Sequence, residues 1–348
     1  MHPLPSEDLE HILAHTLSLW PDLRGTSIFI TGGTGFVGTW LVESLAWANQ
    51  RLHLDIKATL LTRNPAGFRQ RAPHLAGESW LSLLEGDARS FDFPEGTFQF
   101  VIHVATENQF APTLEHPLAS FERDVQGTRR VLEFARTHGT RRLLFTSSGA
   151  AYGKQPAELT HIPEGYPGAP SPLDPNSAYG QAKRISEFAC AMYGRQYGFD
   201  AVLARLFAFV GPHLPLDLNF AVGNFLRDVM QGGPVKIGGD GTPYRSYLYA
   251  ADLAIWLWTL LVHGEPARLY NVGSANEVTI AELARVVVDN TVPGTRIEIA
   301  QKPTPGAAPA RYVPLVERAE KELGLKPLIS LAEGVKRMYA WHLNANSR

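Results

Sequence analysis

Between the apolar run Ser27-Ile28-Phe29-Ile30 and a helical stretch from Phe36 to Asn49, the chain reads Thr31-Gly32-Gly33-Thr34-Gly35-Phe36-Val37-Gly38. Gly32, Gly35 and Gly38 space as G-x-x-G-x-x-G directly after a strand and at the start of a helix. Such a turn lets backbone come close to a pyrophosphate, whose charge is met by amides at the positive helix end. The segments that follow have the same rhythm. Ile56 to Leu61 reads as a second strand, and Trp80 to Leu84, Phe98 to Val104, Arg142 to Ser147 and Ala201 to Leu206 continue the series. Continuous apolar runs between helical stretches require a parallel sheet covered on both faces. The expected class is α/β, a doubly wound parallel sheet of Rossmann type, with ligands beyond the carboxyl ends of its strands.

The 348 residues exceed one typical domain. Residues 1–24 are read as an N-terminal helical extension. In it Ser6 to Leu19 forms an ordinary amphipathic surface helix with Leu9, Ile12, Leu13 and Thr16 on one face and Ser6 as N-cap. Residues 25–210 are the dinucleotide-binding domain, to which 246–275 return. After Gly211 the texture becomes rich in Gly and Pro, and 211–245 with 276–348 are read as a smaller, interleaved C-terminal substrate-binding lobe. With 45% apolar and 19% charged residues the chain can bury a substantial core. A net charge of −2 leaves no basic footprint, so nucleic acid is not an expected partner. No apolar run is long enough to span a membrane, and Met1 to Asp8 is neither a basic signal start nor an anchor. The single cysteine, Cys190, excludes an intrachain disulfide, suits a reducing cytoplasm, and reads as a packed thiol on a helix. Trp256 and Trp258, on an apolar stretch, read as core.

Lys183 lies four residues after Tyr179, which on a helix places both side chains on one face. Ser148 ends the strand that begins at Arg142. A phenol beside a fixed ammonium loses its proton more easily than a free tyrosine, as is needed when a proton moves together with a nicotinamide hydride. The second strand ends Leu61-Thr62-Arg63-Asn64, without the acid that commonly holds a ribose 2′-hydroxyl, and Asp55 stands at its other end. Arg63 can grip the 2′-phosphate of NADP with support from Thr62 or Asn64. The alternative is a solvated Arg63 and NAD.

Further motifs complete the picture: His103-Val104-Ala105 after a strand, Tyr152-Gly153, Arg205-Leu206-Phe207 leading to Gly211-Pro212, and Arg245 before Tyr249-Ala250-Ala251-Asp252. From about Gly25 to about Trp341 the chain resembles the extended short-chain dehydrogenases/reductases, in particular the nucleotide-sugar epimerases, dehydratases and reductases. The resemblance implies a nucleotide-sugar substrate, with Ser148 on the reacting oxygen, Tyr179 as acid/base, and Lys183 tuning Tyr179 and bonding the nicotinamide ribose. It assigns Gly32, Gly35, Phe36, Val37 and Gly38 to the cofactor turn, Asp87 and Ala88 to the adenine end, and His103, Val104 and Ala105 to the cofactor's border. Thr106 and Asn108, in Thr106-Glu107-Asn108-Gln109, are implied for the sugar ring and Arg245 for the diphosphate. Ala208 stands where relatives often carry an Asn on the phosphates, so Asn219, Asn224 or His213 is expected to substitute, and Asn224 is put forward. No metal is expected. Where dehydratases carry Asp-Glu after the Ser/Thr position, and decarboxylating relatives a Glu two residues on, this chain has Gly149 and Ala150. Neither can carry a proton, which leaves ketone–alcohol redox. The expectation is an NADP-dependent reductase of a 4-keto sugar, with a 4-epimerase retaining NAD as the alternative. A non-catalytic scaffold is disfavoured by the intact Ser148, Tyr179 and Lys183. The resemblance also implies a cytoplasmic homodimer through a four-helix face built by helices near Phe121–Thr137 and Ser177–Tyr197.

Overall fold

The computed structural model describes residues 2–106, 116–218 and 220–346. In chain order its elements begin α1 (Ser6–Thr16), α2 (Trp20–Leu23), β1 (Ser27–Thr31), α3 (Phe36–Leu52), β2 (Lys57–Thr62), α4 (Pro65–Arg71), α5 (Pro73–Ala76), β3 (Leu81–Glu85), β4 (Phe100–His103), α6 (Pro117–Thr137), β5 (Arg142–Ser148), α7 (Ala178–Tyr197) and β6 (Asp200–Leu206). They continue β7 (Phe209–Val210), α8 (Ala221–Met230), β8 (Val235–Ile237), β9 (Tyr244–Ser246), β10 (Leu248–Tyr249), α9 (Ala250–His263), β11 (Leu269–Val272) and β12 (Glu277–Thr279). The last are α10 (Ile280–Asp289), β13 (Ile297–Ile299), β14 (Arg311–Tyr312), α11 (Glu317–Leu323) and α12 (Leu331–Asn346). The chain divides into two compact units: Met1–Gly153 with Ala169–Leu206 and Ala254–Tyr270, and Lys154–Gly168 with Phe207–Leu253 and Asn271–Arg348.

The first unit carries the seven-stranded sheet, ordered β11-β6-β5-β4-β1-β2-β3. From β3 to β6 every neighbouring pair is parallel. β4 is buried throughout, and β1 and β5 beyond their first residues, which only helices on both faces can achieve. The strand order reverses at β1, which pairs with β2 on one side and β4 on the other, so a crevice opens beyond its carboxyl end at the glycine turn. Phe29, Phe91, Phe98 and Phe134 pack with ring centroids 4.3–5.9 Å apart and form much of one core layer. Cys190 belongs to that core, where burial pushes its thiol pKa up, as a packed thiol requires.

The N-terminal extension departs from an ordinary surface helix. Leu9, Ile12, Leu13 and Thr16 are buried as one face, but so are Asp8, Trp20 and Leu23. Trp20 meets Trp258 at 5.1 Å between ring centroids. Its indole N–H donates to Thr16 Oγ1 at 3.0 Å, and that of Trp258 donates to Ser44 Oγ at 2.9 Å. Both large rings are therefore buried with their polar atoms satisfied. Ser6 is not the N-cap: Pro5 is, and its carbonyl accepts from Asp8 and Leu9, so the helix starts one residue earlier than expected. Trp256 and Trp258 are core residues, as their apolar surroundings in sequence suggested.

The second unit is made of small sheets: β7 with β10, β12-β9-β14, and β8 with β13. Buried polar groups tie its distant segments together. Asp252 accepts the N–H groups of Leu328 and Ile329 at 2.8 and 2.9 Å, and the Asn271 amide donates to Ile162 and Leu315 carbonyls, both at 2.9 Å. Thr279 and Glu282 form a capping box that starts α10. No helix among the described residues is long and apolar enough to cross a membrane.

The tryptophan contact makes the extension part of the first unit's cooperative core. Trp20→Ala is expected to destabilise the protein by about 3–5 kcal/mol, the usual cost of truncating a buried aromatic. Denaturant unfolding measures it, and a loss below about 1 kcal/mol would mean that the extension docks only loosely.

Candidate active site

The turn after β1 is shaped by contacts that only glycine permits. Gly32 has φ +72°, and a Cβ there would lie 2.5 Å from Ala105 N. One on Gly38 would lie 2.3 Å from the Gly32 carbonyl oxygen, so this glycine seats α3 against its own turn. Gly35, at the N-cap, is exposed, and a Cβ there would meet only the Gly32 oxygen at 3.5 Å. No side chain caps α3 and no acid stands in its first turn, so the amides at its positive end face outward for an anion. Phe36 and Val37 flank them, half-buried. The cradle fits the pyrophosphate of a dinucleotide.

A buried hydrogen-bond chain fixes this turn to the end of β4. Thr128 Oγ1 spends its proton on the Asp124 carbonyl at 2.8 Å, so at 3.1 Å it accepts from His103 Nε2–H. His103 Nδ1 is then an acceptor and takes the Thr31 hydroxyl proton at 2.7 Å, while Thr31 Oγ1 accepts Ala105 N–H at 3.1 Å. Val104 N–H donates to the Thr31 carbonyl at 3.2 Å, and Thr146 Oγ1 donates to the His103 carbonyl at 3.2 Å. Desolvation pushes the His103 pKa down to about 3, so the ring is neutral and the chain intact near neutral pH.

The reacting end forms where β5 enters a tight 3₁₀ turn, Gly149–Tyr152. Ser148 Oγ accepts Ala150 N–H at 3.2 Å, which leaves the hydroxyl proton to donate elsewhere. The first turn of α7 comes against this loop because residue 180 is glycine: a Cβ there would sit 2.5 Å from the Ala150 carbonyl oxygen. Tyr179, the residue before this glycine on α7, is half-buried. Lys183 is buried one turn further on. Its ammonium donates to the Thr146 carbonyl at 3.0 Å and lies 5.7 Å from the Tyr179 ring centroid and 5.0 Å from that of Phe145. Desolvation lowers its pKa, against the attraction of nearby carboxylates.

Beneath the turn lies a support that sequence reasoning missed. Glu187, one turn after Lys183, is gripped at both oxygens by Arg205 of β6, at 2.7 and 2.5 Å, and accepts the Ser147 hydroxyl. The guanidinium stacks 4.0 Å from the Tyr152 ring centroid. This buried, bidentate pair locks α7, β5 and β6 together at the level of Ser148. Arg205 was visible in its motif, but its partner carried no signal of its own in sequence.

At the carboxyl ends of β2 and β3, Thr62 pairs in register with Glu85, so Arg63 and Asp87 both follow these neighbouring strand ends. Arg63 is exposed. Thr62 and Asn64 are occupied in shaping the turn: Thr62 Oγ1 accepts Asn64 N–H at 3.3 Å, and Asn64 Oδ1 caps α4 through Gly67 N–H at 2.7 Å. Asp87 accepts Arg89 Nε at 2.7 Å, and this bond, with Arg63 adding to it, lowers its carboxyl pKa. Thr106 is exposed, and its hydroxyl donates to Asp124 Oδ2 at 2.9 Å. Glu107, Asn108, Gln109 and Asn219 lie outside the described residues. Arg245 and Asn224 belong to the second unit, on β9 and α8. Arg245 Nη1 donates to the Tyr244 carbonyl at 2.7 Å, and Asn224 Oδ1 accepts from Arg227 at 3.4 Å.

A pyrophosphate cradle and a serine, tyrosine and lysine at one carboxyl edge of a doubly wound sheet define a short-chain dehydrogenase/reductase. The sequence pattern of the NAD dependent epimerase/dehydratase family matches residues 28–273, and the chain belongs to that family of nucleotide-sugar enzymes. It is 30% identical over 311 residues to UDP-glucuronic acid decarboxylase 1 of Arabidopsis thaliana, covering 89% of this chain and 68% of that protein. With UDP-glucuronic acid decarboxylase 6 of the same plant it shares 28% over 312 residues, 89% and 87% of the two chains. Among solved structures, DesIV of Streptomyces venezuelae, a dTDP-glucose 4,6-dehydratase with NAD and TYD bound, superposes with a TM-score of 0.78 at 24% identity, covering 92% of this chain and 98% of that one. The UDP-glucose 4-epimerase of Thermotoga maritima gives 0.76 at 21%, covering 92% and 99%. These two likenesses establish the fold.

His103 has a pH consequence. Its folded pKa lies below the ordinary value of about 6.5, so the unfolded chain binds the proton first and stability falls as pH drops from about 6.5 toward about 3. Between pH 7 and pH 5 this group alone should remove about 2 kcal/mol. His103→Gln should be less stable at pH 7 but lose that much less on acidification. Unfolding curves at both pH values decide it, and an unchanged difference would mean that other groups govern the acid limb.

Proposed function

We propose that the protein reduces the 4-keto group of a nucleotide-linked sugar, using NADPH. The observation that carries this reading is the turn after Ser148. Gly149 and Ala150 offer no proton-bearing side chain, and Tyr152, the next that could, is buried under Arg205. The Glu that the resemblance places two residues after the serine in decarboxylating relatives is Ala150 here. Oxidation followed by elimination or loss of carbon dioxide needs such a group, whereas ketone–alcohol redox needs only Ser148 and Tyr179.

The chemistry follows from these residues. Ser148 and Tyr179 hydroxyls hold the ketone oxygen and polarise its carbon. A bound nicotinamide supplies the hydride to that carbon. Tyr179 gives its proton to the oxygen, and Lys183, with its ammonium close by, stabilises the phenolate left behind. Arg63 supports the choice of NADP: it is exposed beyond β2 and can form charge-assisted bonds to a 2′-phosphate, and no acid follows that strand. Arg245 is the residue proposed for the substrate diphosphate.

The test is incubation with nucleotide-linked 4-keto-6-deoxy sugars and NADPH or NADH, with the product identified by NMR. Net cofactor oxidation with a new alcohol is expected, and Tyr179→Phe should cut turnover by about 10²–10⁴ while dinucleotide binding survives. Arg63→Ala should erase a tenfold or larger preference for NADPH, each such contact being worth about 1.5–3 kcal/mol. Interconversion of 4-hydroxy epimers without net oxidation would replace the reductase by the 4-epimerase.

We also propose a homodimer through α6 and α7. Ile185, Phe188 and Met192 recur at helical spacing on α7 and are exposed, Phe188 at 64%, and Leu118 on α6 is 75% exposed. A run of apolar side chains on one helix face fits a second copy of the same face. Phe188→Glu should convert the dimer to monomer in sedimentation at micromolar concentration. A parent that is already monomeric there would refute the interface.

A further inference from the structure

An acid stands just past the end of β3, where it bears on the choice of cofactor. The reacting half of a bound dinucleotide belongs at the end of β5, where Ser148 stands, and its pyrophosphate at the turn after β1. The strand order then leaves the carboxyl ends of β2 and β3, on the other side of β1, for the adenosine half and for a 2′-phosphate if it carries one. Gly86 N–H donates to the Thr62 carbonyl at 3.1 Å, so the two strands are still joined where Arg63 and Asp87 leave them. Paired strands lie only about 4.8 Å apart. An uncovered carboxylate at Asp87 would therefore repel the phosphate that Arg63 attracts.

Asp87 is not uncovered. Arg89 reaches back to it with three donors: its backbone N–H to Oδ1 at 2.9 Å, Nε to the same oxygen at 2.7 Å, and Nη2 to Oδ2 at 3.1 Å. A planar fork on both oxygens is the geometry in which a guanidinium answers a carboxylate most fully. The pair sits at the surface, with the Arg89 side chain 43% and that of Asp87 30% exposed. Such a pair adds little to stability. Its consequence lies in the field over the strand ends.

We propose that Arg89 is a positioning residue for cofactor specificity: it acts through Asp87, answering that charge so that Arg63 meets a 2′-phosphate without an opposing carboxylate. The inference rests on the reading of Arg63 as the residue that grips this phosphate.

The test is calorimetric titration of NADP and NAD into the parent, Arg89→Gln, Asp87→Asn and the double variant, read as the ratio of the two dissociation constants. Both dinucleotides carry the same adenine, so a general disturbance of the adenosine end cancels in the ratio. Arg89→Gln bares the carboxylate and should shift the ratio against NADP by about fivefold at low ionic strength, and by less in added salt. Adding Asp87→Asn should restore the ratio, because the repelling charge is gone. Asp87→Asn alone leaves the Arg89 charge unanswered and should move the ratio toward NADP, and the proposal is judged on that variant should Arg89→Gln not fold. A ratio unmoved in the folded variants overturns the proposal. So does a shift that the double variant fails to restore, which would mean that Arg89 touches the phosphate itself. If Arg63→Ala moves the ratio and the Arg89 and Asp87 variants do not, this proposal alone fails. If none of them moves it, the placing of the 2′-phosphate at Arg63 fails with it.

Discussion

The neutral imidazole of His103 is the joint on which the site depends. It receives a proton from Thr31 at the start of the glycine turn and donates one to Thr128 on α6, while its carbonyl holds Thr146. One residue therefore ties together the glycine turn, the end of β4 and the strand that leads to Ser148. A charged ring would have to donate at both nitrogens, and the Thr31 hydroxyl would lose its acceptor. The desolvation that depresses the His103 pKa is therefore a condition of the architecture, since it preserves the one tautomer that satisfies every partner.

The candidate site residues Ser148, Tyr179 and Lys183 are set in place by two further devices. One is absence of bulk: without a Cβ at residue 180, the first turn of α7 can approach the Ala150 carbonyl, in the turn that follows Ser148. The other is a buried ion pair. Removing both charges of Glu187 and Arg205 from water costs several kcal/mol, which the bidentate geometry and the Ser147 hydroxyl offset. What the pair secures is orientation, because a guanidinium fork accepts a carboxylate in few ways. α7 is thereby fixed in rotation as well as position, and Tyr179 and Lys183 with it.

Membership of a family that includes decarboxylases, dehydratases and epimerases leaves the reaction to a few side chains on a common frame. Under the proposed reading, hydride transfer at a sugar carbon is the step that Ser148, Tyr179 and Lys183 would serve. The reactions diverge at the next proton, and the turn after Ser148 is where the chain would supply a group for it. Gly149 and Ala150 supply none.

The glycine turn, the strand–helix alternation and the Tyr179/Lys183 pair were legible in the sequence because each is local: glycines constrain their own backbone, and residues four apart share a helix face. The family followed from their order. The tertiary structure alone decided what holds them. His103 meets Thr31 across 72 residues, Arg205 finds Glu187 across 18, and Trp258 reaches Ser44 across 214. An amphipathic pattern foretold the inner face of α1, but nothing in it showed that Trp20 would pack against Trp258. Local conformation is set by neighbours in the chain and can be read there. A buried hydrogen bond or ion pair is set by whichever group the sheet order brings opposite, and that order exists only once the chain has folded.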